Sequence, residues 1–201
     1  MIASKYWKIF LDLKEKIKMS RKMIYKIIVL ILLIMVALVY SKNKDNGTNA
    51  LKTTDIAPLF TSIDHNDNEI KLSDYLGKYV VIYFFPKAFT PGWTKQACGF
   101  RDKYDIYIDN NIVVLGISYD SPKKLRKFRE KHRLPFTFIS DYDKSISKKY
   151  NSGGILFPSR KTIIIDPKGT ILEVVENINI DSHSTDIINI VLNHKKLKEI
   201  N

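Results

Sequence analysis

Hydrophobic positions follow three different patterns along the chain. Residues 1–22 put Tyr6, Phe10, Leu13 and Ile17 on one helical face and lysines over much of the remainder, the pattern of a helix lying on an anionic inner leaflet. Residues 27–40, "IIVLILLIMVALVY", hold neither a charge nor a helix breaker. Residues 41–54, "SKNKDNGTNALKTT", are polar and aperiodic, which reads as a tether. Beyond the tether, short apolar runs recur between turn signals. The chain therefore divides into a basic amphipathic segment (1–22), a transmembrane segment (23–40), a tether (41–54) and a folded domain (55–201).

Within the domain, residues 55–77 set short apolar stretches around a polar "HNDN" turn, predicting a hairpin or a pair of edge strands. The run "YVVIYFF" (79–85) is β-branched and aromatic throughout, the pattern of a strand covered on both faces. Pro86 ends it, Pro91 and Gly92 make a turn, and residues 93–110 show helical spacing at Ala97, Phe100, Tyr104 and Tyr107. "IVVLGIS" (112–118) predicts a second buried strand. Asp120 or Ser121 then caps a helix that has Pro122 in its first position and runs to His132. A third strand (135–140), a short helix (144–150), a hairpin of 162–166 with 170–175 around "PKG", and a closing helix (184–197) follow. In that helix Ile187, Ile188, Val191 and Leu192 face inward. Alternating strands and helices with a terminal hairpin predict an α/β domain, a mixed central sheet with helices on both faces.

Charge decides how the apolar run is read. The 33 Lys and Arg against 21 Asp and Glu give a net charge of +12. Residues 1–26 hold eight of the basic residues and only Asp12 and Glu15 of the acidic ones. Fourteen apolar residues span about 21 Å, a signal-peptide length, whereas extension to Met23 gives eighteen and about 27 Å, with Lys26 snorkelling to the interface. "VALVYSKNK" offers only a poor small-residue pair for cleavage, so an uncleaved signal-anchor is expected in preference to a removed signal. The basic flank keeps the N-terminus cytoplasmic and sends the domain outside, single-pass at the cell membrane. Cleavage would make the domain secreted or periplasmic. In the domain itself lysines are interspersed with Asp and Glu, with no RNA-binding or zinc-finger signature, so no nucleic-acid partner is expected. The four histidines, His65, His132, His183 and His194, are dispersed, and neither a metal nor a cofactor is expected.

The order of elements matches the thioredoxin fold, and the motifs sharpen the match. "APLF" (57–60), "LSDYLGK" (72–78), "FFPKAFTPG" (84–92), "TKQACGFRD" (94–102), "VLGIS" (114–118), "LPFTFISD" (134–141) and "RKTIIIDPKG" (160–169) together resemble a peroxiredoxin of the bacterioferritin-comigratory (PrxQ) type. The resemblance covers about three quarters of the chain. It implies the peroxiredoxin variant of the thioredoxin fold and thiol-dependent reduction of hydroperoxides by a thioredoxin-like reductant.

In that family the strand-to-helix turn carries Pro, then Thr, then a cysteine whose thiolate attacks the peroxide O–O bond. Thiolate rather than thiol is the nucleophile, so a helix N-terminus and an Arg lower its pKa. Pro86 and Thr90 match the motif, and Arg160 matches the Arg that contacts sulfur and peroxide. Trp93 stands where the peroxidatic cysteine belongs. Cys98, the only cysteine, matches the resolving cysteine of one branch, and Gln96 replaces the commoner Glu. An indole offers one N–H donor and no thiol chemistry. Peroxidase activity is therefore expected to be lost or strongly reduced. Two alternatives stand beside it: a non-catalytic binding or scaffold module, and a weak peroxidase that uses Cys98, with Arg101 as its aid unless that side chain pairs with Asp102 or Asp105. A disulfide- or copper-handling thioredoxin relative needs a pair of cysteines, which one cysteine excludes.

Overall fold

The polar "HNDN" turn folds as a hairpin because the Asp64 carboxylate caps it, accepting the backbone N–H groups of Asn66 and Asn68 at 2.7 and 2.9 Å. This joins β1 (Thr61–Asp64) to β2 (Glu69–Lys71), antiparallel, with Thr61 opposite Lys71. The computed structural model describes residues 51–200, together with Asp12, Met23, Tyr25, Lys26 and 29–35. The chain separates into two compact units, Met1–Asn49 and Ala50–Asn201.

In the second unit β3 (Tyr79–Phe84) buries all six of its side chains, as a continuous apolar run requires. Its parallel neighbour is β4 (Ile112–Ser118), which in turn pairs in parallel with β5 (Thr137–Ser140). On the other side β6 (Lys161–Ile165) runs antiparallel to β3, and β7 (Ile171–Val175) completes a seven-stranded mixed sheet of order β2-β1-β5-β4-β3-β6-β7. The helices are α1 (Pro91–Arg101), α2 (Tyr104–Asp109), α3 (Pro122–His132), α4 (Ser145–Lys149) and α5 (His183–Ile200).

Alternate residues of β3 feed two cores. Val81, Tyr83 and Phe85 join Ala97, Phe100, Tyr107, Phe128 and Ile187 from α1, α2, α3 and α5. Val80, Ile82 and Phe84 join Ala57, Phe60, Leu72 and Tyr150 on the opposite face, which among the described residues the entry segment, a 3₁₀ turn at Leu72–Tyr75 and the short α4 cover. The helical layers are thus unequal.

Two details depart from the sequence pattern. Residues 93–110 form two helices rather than one, because Lys103 leaves helical geometry at φ −119° while Asp102 before it stays helical. The bend seats the buried Tyr107, whose hydroxyl donates to the Ser184 carbonyl at 2.8 Å. Leu192 is only half-buried, whereas Ile187, Ile188 and Val191 face inward as expected.

Of the expected transmembrane segment, Met23, Tyr25, Lys26 and 29–35 are helical and exposed; the rest of 23–40, the amphipathic segment apart from Asp12, and the tether up to residue 50 lie outside the described residues. Among the described residues no helix is long and apolar enough to cross a membrane.

Candidate active site

β3 ends at Phe84, the half-buried Pro86 follows two residues on, and the link to α1 is held from below. Phe85 N–H donates to the Ile117 carbonyl at 3.0 Å, and Ala88 N–H donates to the Asp120 carboxylate at 2.6 Å. Phe89 adopts φ +69°, an uncommon conformation for a bulky residue that the surroundings must enforce. Its ring packs edge-on to Phe128 at 5.3 Å and beneath the Lys131 ammonium at 5.6 Å. Thr90 then takes the N-cap position in extended conformation with Pro91 in the first turn, which starts α1. The Thr90 hydroxyl does not cap the helix. It donates back to the Lys87 carbonyl at 2.9 Å, closing the turn.

Antiparallel pairing of β3 with β6 sets Phe84 opposite Lys161. The residue that precedes β6, Arg160, is thereby delivered to the end of β3 where α1 begins. Its guanidinium carbon lies 4.1 Å from the centroid of the Trp93 ring, well inside cation–π range. Trp93 is half-buried and its other contacts are to the helix-side core. Thr90, Trp93 and Arg160 are thus gathered around the first turn of α1, with Pro86 two residues past the strand that leads to it.

Below this pair lies a polar chain that sequence reasoning missed. Gln96, on α1 one turn after Trp93, places its side-chain amide nitrogen 2.9 Å from Nδ1 of His183, and Nε2 of His183 lies 3.2 Å from the Thr162 hydroxyl. With the Gln96 amide nitrogen facing Nδ1, Gln96 donates to it, and the neutral imidazole in its Nε2–H form donates to Thr162. All three side chains are buried. Burial pushes the His183 pKa down to about 4, the positive Arg160 pushes in the same direction, and Asp186 opposes both. The chain joins α1, β6 and α5 directly behind the Trp93–Arg160 stack. The sequence signal was only a lone His at a helix start, ordinarily a solvated position.

Cys98 lies elsewhere on α1. Five residues beyond Trp93 it is rotated by about 140° around the helix and displaced by about 7.5 Å along it. The half-buried thiol is free and sits beside Arg101 and the Tyr83 hydroxyl. Arg101 is engaged mainly by Asp102 (2.7 and 2.8 Å) and by the His132 carbonyl (2.9 Å), and its pKa is raised first by Asp102 and then by Cys98. Tyr83 is buried and among the described residues its hydroxyl has no hydrogen-bond partner; its pKa is raised well above the usual value by burial, with Cys98 adding to it.

The AhpC/TSA family matches residues 53–174. Peroxiredoxin Bcp of Escherichia coli K12 is 38% identical over 154 residues, covering 73% of this chain and 99% of that protein. Peroxiredoxin Q of Populus jackii chloroplasts is 42% identical over 123 residues, 60% of this chain and 58% of that one. Among solved structures, the peroxidoxin BcpB of Mycobacterium tuberculosis superposes with a TM-score of 0.68 at 30% identity over 71% of this chain and 97% of its own. The second unit alone therefore accounts for nearly the full length of the bacterial relatives, and both of its cores are internal to it.

Proposed function

Because the chain belongs to the AhpC/TSA family, as a peroxiredoxin of the Bcp/PrxQ type, we propose that it is a membrane-tethered peroxiredoxin whose peroxide site is closed by Trp93. Family membership supports hydroperoxide as the ligand class and a thioredoxin-type reductant as the partner. One observation carries the finer reading: the Arg160 guanidinium lies 4.1 Å over the Trp93 ring. An Arg in this position of the family faces a thiolate and the peroxide. Here its face is taken by an indole, which supplies bulk and a π-face but no attacking atom. The domain then serves as a binding or scaffold module rather than as a competent peroxidase.

Removal of the nucleophile from a covalent catalyst costs on the order of 10⁶ in turnover. Wild type with thioredoxin or dithiothreitol is expected to consume peroxide at the background rate, and Cys98→Ser at the same rate. Trp93→Cys restores the missing step. Its thiolate sulfur bonds to the distal peroxide oxygen, the O–O bond breaks, and the leaving oxygen takes a proton as water or alcohol. The Cys98 thiol then attacks the sulfenic acid, releasing water and leaving a disulfide for two reductant electrons. The angular separation of the two positions requires α1 to unwind locally for that second step. Rapid wild-type turnover abolished by Cys98→Ser would instead assign the chemistry to Cys98, with Arg101 and Tyr83 as its neighbours.

Tethering is supported by the uncharged run 27–40 and its basic N-terminal flank. The chain is expected in the carbonate-resistant membrane fraction, with residues 55–201 cleaved by protease added from outside the cytoplasmic membrane. Carbonate extraction into the soluble fraction, or full protection from that protease, overturns it.

A further inference from the structure

The chain enters the second unit at the end of the sheet opposite Trp93, and there it builds an apolar hollow. A cavity of about 200 Å³ is floored by Ala57, Leu72 and Val80 and rimmed by Ile56, Leu59 and Leu76. The floor residues are buried, whereas the rim residues are 71%, 63% and 61% exposed. Three large aliphatic side chains standing into solvent around one hollow are an unsatisfied surface. It is rigidly made: Ala57 N–H donates to the Gly169 carbonyl, Gly77 N–H to the Pro167 carbonyl and Ile171 N–H to the Asp55 carbonyl, at 2.8 to 2.9 Å. The exposed Lys168 lines it, and the exposed Lys52 and Lys78 stand four and two positions along the chain from Ile56 and Leu76. Of the nearby acids, Asp166 is ion-paired with Lys198, whereas the exposed Asp55 and Asp74 take backbone N–H bonds and keep their charge. Asp166 accepts the backbone N–H groups of Lys168 and Thr170 and the Lys198 ammonium, Asp55 accepts the Lys52 N–H, and Asp74 accepts the Lys71 N–H.

We propose that this face docks on the surface of an anionic phospholipid bilayer, with Ile56, Leu59 and Leu76 dipping among the acyl chains and the lysines meeting the headgroups. The occupant follows from where the chain comes from. The proposal rests on the tethered reading above, in which residues 41–50 separate the apolar run from the folded unit; the other four of the expected tether, 51–54, belong to that unit, with Leu51 packed against its core and Thr54 N–H donating to the Ile171 carbonyl at 2.8 Å. Ten residues span at most about 35 Å, so on that reading the entry face stays close to the headgroups. Apolar side chains ringed by lysines are the chemistry that a membrane interface recognises. Docking here turns the Trp93–Arg160 end of the sheet away from the bilayer, towards soluble partners.

The test uses residues 51–201 in flotation with vesicles of mixed phosphatidylglycerol and phosphatidylethanolamine, so its result is independent of whether the anchor exists. The domain is expected to float with these vesicles and to be released by high salt. The triple variant Ile56→Ser/Leu59→Ser/Leu76→Ser should lose on the order of 100-fold in partitioning, and Lys78→Gln/Lys168→Gln should bind less while keeping its thermal transition. A companion measurement on the full chain in bilayer nanodiscs follows amide exchange over residues 54–60 and 72–78, which should be slowed relative to the free domain. Flotation that the triple variant leaves unchanged overturns the docking face, as does no flotation combined with unprotected amides. A full chain that carbonate extracts, with a domain that still floats, removes the anchor and leaves the docking face standing.

Discussion

The buried imidazole behind the Trp93–Arg160 stack gives the sharpest quantitative expectation. His183 is 2% exposed, accepts from Gln96 and donates to Thr162, so the fold holds it neutral. Its pKa in the folded domain is about 4 against 6.5 for the free side chain. The unfolded chain therefore takes up the proton first as pH falls. The stabilisation is fully present above pH 6.5, is lost progressively between 6.5 and about 4, and amounts to roughly 3 kcal/mol in total. His183→Gln removes the titration. At pH 7.5 it should cost about 1–2 kcal/mol for the disrupted hydrogen bonds, but the gap between variant and wild type should close, and even reverse, by pH 4. Urea unfolding of residues 51–201 at pH 7.5, 6.0, 5.0 and 4.0 measures this, and the wild-type-minus-variant difference cancels the carboxylates that titrate in the same window. Parallel stability curves for the two proteins across that range would refute the reasoning, as would a His183 ring signal that titrates near 6.5 in the folded state.

Three further expectations concern the same scaffold. A double-mutant cycle of Trp93→Ala and Arg160→Ala should give a coupling of about 0.5–2 kcal/mol in thermal or urea unfolding, and additive effects would place the two groups apart. Gly116→Ala should destabilise by about 1–3 kcal/mol or more, because a Cβ there meets the Phe138 ring and the Tyr83 hydroxyl oxygen at 2.8 Å; a neutral variant would mean that β4 and β5 shift freely. Asp141→Asn should cost about 1–3 kcal/mol, since the buried carboxylate accepts Ile146 N–H, Ser147 N–H and the Ser147 hydroxyl at the start of α4, and an amide offers a single acceptor oxygen for them.

The elements legible in the sequence are those with a strong period or strong punctuation. β3 is a run with no polar interruption, α3 has Ser121 and Pro122 at its start, and the β6–β7 hairpin is written by Pro167, Lys168 and Gly169. The break between α1 and α2 was not legible, because Arg101, Asp102 and Lys103 suit a helix as well as a turn. For the candidate site, residue identity was legible and arrangement was not. Arg160 and Trp93 lie 67 positions apart, and only the antiparallel register of β3 with β6 brings them together. The Gln96–His183–Thr162 chain left no mark, since each member is a polar residue that composition assigns to the surface, and its burial is set by three separate elements. Phe89 is similar: nothing in "KAFTP" announces a left-handed phenylalanine.

The electrostatics of this end of the sheet explain why a tryptophan is tolerable there. The N-terminus of α1 carries the positive end of a helix dipole, Arg160 adds a full positive charge beside it, and His183 behind is held neutral. Such a frame suits an anion. Loss of an anion from it by a substitution such as Ala would leave the guanidinium facing a like-signed helix end with only solvent between them. An indole instead offers its negative π-face to the guanidinium and its edge to the apolar core formed with Ala97 and Phe100. On the reading proposed here the stack replaces a charge pair with a weaker quadrupole contact and fills the vacated volume. Arg160 would thereby be retained for packing after its partner in chemistry has gone. That is why Trp93→Cys, which would set an anion against the guanidinium, tests the proposed reading more severely than any deletion: it asks whether the frame still supports one.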